Sequence, residues 1–60
     1  MRVIKDGIVN GKKIELRDRP AMNEDYEVLE VGAVMNKILF ASGSVVAASL
    51  YFDSLFGDGR

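Results

Sequence analysis

The sequence predicts an α+β fold: an N-terminal β-hairpin, a third short strand, and one long apolar C-terminal helix. Three observations carry this. Asn10-Gly11 separates two runs that bear β-branched and apolar residues. Residues 26–31 read YEVLEV, a β-prone run just ahead of Gly32. Residues 38–52 read ILFASGSVVAASLYF and carry no charge.

The hairpin signal is chemical. A two-residue type I′ turn needs φ > 0 at both central positions, and Asn-Gly meets that need at least cost. Before the turn stand Val3-Ile4 and Ile8-Val9. After it, Ile14 and Leu16 alternate with Lys13, Glu15 and Arg17, the pattern of a strand with one wet face. Gly7 interrupts the first strand and is expected to mark a bulge. Pro20 keeps Arg19 out of helical geometry, so residues 17–25 read as a connection. In the third strand Tyr26, Val28 and Glu30 share one side, and Glu27, Leu29 and Val31 the other.

The apolar run has two readings. As a helix over residues 33–56 it carries stripes at three- and four-residue spacing and is apolar nearly all round. Gly57 suits the position just past its end, and residues 57–60 read as a tail. As strands, residues 41–44 become a turn, and five short strands suggest an all-β small barrel. On the helical reading residues 1–32 form a small β unit, and the helix is a membrane span or an oligomerisation element. A 23-residue helix over 34–56 rises about 34 Å, enough for the ~30 Å hydrocarbon core. Most Lys and Arg precede it, which would hold the N-terminal part on the cytoplasmic side. The alternative is a cytoplasmic protein in which other protein buries the helix. Gly43 and Ala47, like Ser44 and Ala48, are four apart and are the expected helix contact face. Phe40, Val45, Val46, Leu50 and Phe52 are expected to supply most of the burial.

Size sharpens the question of a partner. The chain has 60 residues, with no Cys, His or Trp. Folding at this mass removes roughly 5,700 Å² from water. At ~25 cal/mol/Å² for the apolar share, this contributes about 85 kcal/mol. Ordering the chain costs about 90 kcal/mol. Disulfides are impossible without Cys, and a structural zinc site lacks its usual ligands. A second copy, a larger protein assembly or a bilayer is the remaining source of stability.

The same composition thins the chemistry. No His is present to activate a serine. Eight Lys/Arg against nine Asp/Glu give a net charge of −1, so nothing electrostatic points to nucleic acid. Glu24, Asp25, Glu27 and Glu30 form the densest acidic group, but lack the ligand order of a calcium loop. Residues 53–59 read as a helix end rather than a metal loop. No catalytic, cofactor-binding or metal-binding residue is assigned, and no small-molecule substrate or cofactor is expected. The chain reads as a non-enzymatic accessory or structural subunit that acts by association.

Residues 10–31, NGKKIELRDRPAMNEDYEVLEV, resemble the β module of some short bacterial and archaeal antitoxins in their order of strand, Pro-containing turn, acidic dipeptide and strand. The resemblance covers about a third of the chain. It implies a soluble dimeric regulatory module that binds DNA or a toxin. The chain departs from that pattern in two places. Met22-Asn23-Glu24-Asp25 replaces the usual Pro-Glu-Gly turn, and the C-terminal part is apolar rather than charged.

Overall fold

The computed structural model describes residues 2–19 and 25–56. Strands β1 (Arg2–Val9), β2 (Lys12–Asp18), β3 (Tyr26–Val31) and β4 (Lys37–Ser42) form one antiparallel sheet in the order β1-β2-β3-β4. Helix α1 (Val45–Leu55) follows. The arrangement is α+β, and the sheet does not close into a barrel.

The β1–β2 turn is built as its residues demand. Asn10 has φ 53° and Gly11 φ 77°, both left-handed. The bulge in β1 lies at Ile4, where the ladder slips between Val3 and Lys5. Gly7, expected to be the bulge, instead keeps its register opposite Ile14. It is small for another reason: a Cβ there would sit 2.9 Å from the Phe56 ring.

The C-terminal third departs from the expected 33–56 helix. Residues 37–42 form β4, and α1 has eleven residues, a length of about 16 Å. Pairing with β3 satisfies backbone groups that the edge of β3 would otherwise expose. Gly43 and Ser44 then separate strand from helix. Ser44 is extended, with φ −109° and ψ 121°, and its Oγ accepts the Ala47 N–H at 3.2 Å. This is an N-cap, and it fixes where the helix begins. No helix among the described residues is long and apolar enough to cross a membrane, which removes the expected single-pass span. Of the expected 17–25 connection, Arg17 and Asp18 belong to β2, where they pair with Glu27 and Tyr26, and residues 20–24 lie outside the described residues, as do the Gly57 stop and the 57–60 tail.

Register sorts the side chains by face. Ile14 and Leu16 of β2, Val28 of β3 and Phe40 of β4 lie under α1. Ala48 and Phe52 close the layer, and with Ile14, Leu16 and Val28 they make the buried cluster. Phe40 stacks on Tyr51 at 4.8 Å with 10° between ring planes. Phe52 packs against Phe56 at 4.8 Å. Lys5, opposite Leu16, donates to Asp53 Oδ1 at 3.1 Å. Its Nζ also lies 5.6 Å from the centre of the Phe52 ring. Helix and sheet are thus joined by apolar burial, with the Lys5–Asp53 ion pair at the rim.

Phe52→Ala is expected to cost about 3–5 kcal/mol in urea unfolding, a large share of the stability of a domain this size. Ser44→Ala, which removes only the cap, is expected to cost about 1 kcal/mol.

Candidate interaction surfaces

The structure scatters the groups that could have carried chemistry. Glu27 and Glu30 lie on opposite faces of β3. Glu30 sits 3.9 Å from Lys12. The Asp25 carbonyl accepts the Arg19 N–H, and Glu24 lies outside the described residues. Among the described residues no group of three or more Asp and Glu is placed to hold a metal ion. Ser42 Oγ accepts the Ser44 N–H at 3.0 Å, and Ser54 Oγ donates to the Tyr51 carbonyl at 2.6 Å. With the Ser44 cap, these hydroxyls serve the local backbone.

The sheet face away from α1 carries a charged ladder. Glu15 accepts from Arg17 Nε at 2.7 Å and lies 3.5 Å from Lys13 Nζ. Glu27, in the next strand, accepts from Arg19 at 3.0 and 3.2 Å. Both carboxylates are buried, where alternation predicts a solvated face. Leu29 is buried on the same face, opposite Glu15 on one side and Ile38 on the other. The bound cations keep the carboxylates satisfied. No buried side-chain nitrogen or oxygen lacks a partner among the described residues.

The expected helix contact face does not assemble. Gly43 and Ser44 precede α1, so their four-residue spacing to Ala47 and Ala48 is not a helical stripe. Ala48 is fully buried under the molecule's own sheet, and Ala47 is half-buried. The expected burial set divides in two. Phe40 and Phe52 pack within the molecule. Val45, Val46 and Leu50 face outward, with Val46 65% and Leu50 66% exposed.

A second apolar group was not singled out by the sequence reading. Val34 and Met35, in the β3–β4 loop, are 94% and 78% exposed, and Ile8 near the β1–β2 turn is 70% exposed. The signal was present as two consecutive large apolar residues after Gly32. It became legible only once residues 37–42 were a strand and residues 32–36 a loop.

Removing Arg19 leaves Glu27 buried without its partner. Arg19→Ala is expected to cost about 1–3 kcal/mol in urea unfolding. Arg2→Ala breaks a 3.7 Å pair with Asp18 whose cation is well exposed, and is expected to change stability by less than about 0.5 kcal/mol.

Comparison of the chain with protein-family models, with curated proteins and with solved structures finds no match.

Proposed function

We propose that this chain is a non-enzymatic accessory or structural subunit that works by association. The outer face of α1 is the surface it buries against a second copy or a larger protein assembly. One observation carries the reading. Val46 and Leu50 lie one helical turn apart on the side of α1 that its own sheet leaves uncovered. Single exposed apolar residues are ordinary, but a contiguous ridge on a capped, docked helix favours a partner.

A two-fold arrangement lets the same ridge serve both copies. A standard interface takes roughly 800 Å² from each partner. That is about a fifth of this molecule's 3967 Å² of accessible surface. The antitoxin-like reading draws less support as a DNA-binding module. Lys13, Arg17 and Arg19, the cations of the open sheet face, are already engaged with Glu15 and Glu27.

Sedimentation velocity over a wide concentration range tests this. The wild-type chain is expected to shift to larger species as concentration rises, with a melting temperature that rises in parallel. Leu50→Glu is expected to hold it monomeric with unchanged low-concentration stability. A wild-type chain that stays monomeric throughout, melting at one temperature, contradicts the proposal.

A further inference from the structure

We infer that the end of the sheet formed by the β1–β2 turn and the β3–β4 loop docks on an anionic lipid surface. The strand pairing brings these two connections together. Lys12 and Lys13 open β2 directly after the Asn10-Gly11 turn, and Lys13 pairs with Val31, the last residue of β3. The chain then passes through residues 32–36 into Lys37, which faces Glu30 across the ladder. Ile8 lies opposite Lys13. Val34, Met35 and Ile8, the three most exposed large apolar side chains among the described residues, therefore gather at one end.

The loop has a defined shape. The Gly32 N–H donates to Asn36 Oδ1 at 3.3 Å. A Cβ at Gly32 would overlap the Met35 carbonyl oxygen. The connection is folded back on itself, with Val34 and Met35 at its exposed tip.

Charge points to the occupant. Lys12, Lys13 and Lys37 lie at the same end of the sheet as the apolar tip, and all three are exposed. Two carboxylates stand among them: Glu30, 3.9 Å from Lys12 and opposite Lys37, and Glu15, 3.5 Å from Lys13, which leaves an excess of one positive charge at this end. A protein groove would cover an apolar tip without calling for lysines beside it. A bilayer rich in anionic lipid matches both parts. Its acyl boundary takes the apolar side chains, and its headgroups attract lysines close to the surface. The lysine stems are long enough to keep their charges at headgroup level while the tip sits deeper. This is attachment to a surface without a span, and it uses a different part of the molecule from the outer face of α1.

The test is co-sedimentation of the full chain with phosphatidylcholine vesicles, with and without phosphatidylserine. Binding is expected only to the phosphatidylserine vesicles, and it should weaken as salt screens the headgroups. Replacing Lys12, Lys13 and Lys37 by Gln is expected to lower the partition coefficient about five-fold for each lysine. Val34→Ser with Met35→Ser is expected to abolish measurable binding while leaving the melting temperature unchanged, since both positions are exposed. The chain has no tryptophan, so Val34→Trp supplies a single probe, and its emission should shift to the blue on the anionic vesicles alone. Leu50→Glu, on α1, should retain wild-type vesicle binding, which separates this inference from the association reading. Absence of binding to phosphatidylserine vesicles overturns the inference. Equal binding to both vesicle types, or full binding by the Val34/Met35 variant, also overturns it.

Discussion

Everything in this molecule leans on the closure of one sheet face by two residues of α1, Ala48 and Phe52. They complete a layer begun by Ile14, Leu16 and Val28. A four-stranded meander alone presents an apolar face to water, and covering that face is what a second layer supplies. An eleven-residue helix alone is too short to persist. Each element therefore depends on the other. The details around the contact serve it: the Ser44 cap sets the helix start, Gly7 makes room for Phe56, and Lys5 bridges to Asp53 beside the Phe52 ring.

The opposite face is held by different means. It lacks a covering helix, yet Leu29, Glu15 and Glu27 are all buried there. Ion pairs with Lys13, Arg17 and Arg19 satisfy the carboxylates. Such pairs contribute little net stability, because desolvation offsets much of the attraction. Their effect is on register: a one-residue slip of β3 would send Glu27 under α1 and Val28 to the open face. The molecule thus has one face that supplies stability and one that penalises mispairing. The exposed apolar side chains lie on the outer side of α1 and at the end of the sheet that carries Lys12, Lys13 and Lys37.

How much of this was legible in the sequence follows from how local each cause is. The Asn10-Gly11 turn was legible because both left-handed residues are adjacent and their chemistry is their own. The sidedness of β3 was legible because alternation is a property of the strand itself. Strand β4 was not. An apolar run of this length satisfies helical and extended spacing alike. The choice was made by the vacant edge of β3, a partner outside the run. Gly7 shows the same limit: its reason is a ring near the other end of the chain. The burial of Glu15 and Glu27 is a property of the assembled sheet that no single segment reveals. The small-residue spacing of Gly43, Ser44, Ala47 and Ala48 lost its meaning once two of the four fell outside the helix.

The dependence of sheet and helix on one another is tested most directly by native-state hydrogen exchange at Leu16, Val28, Ala48 and Phe52. If Ala48 and Phe52 are what keep the sheet folded, all four amides exchange through one opening with a common free energy and a common denaturant dependence. Protection that persists at Leu16 and Val28 after Ala48 and Phe52 have exchanged would show a sheet that stands without its helix, and would contradict the account.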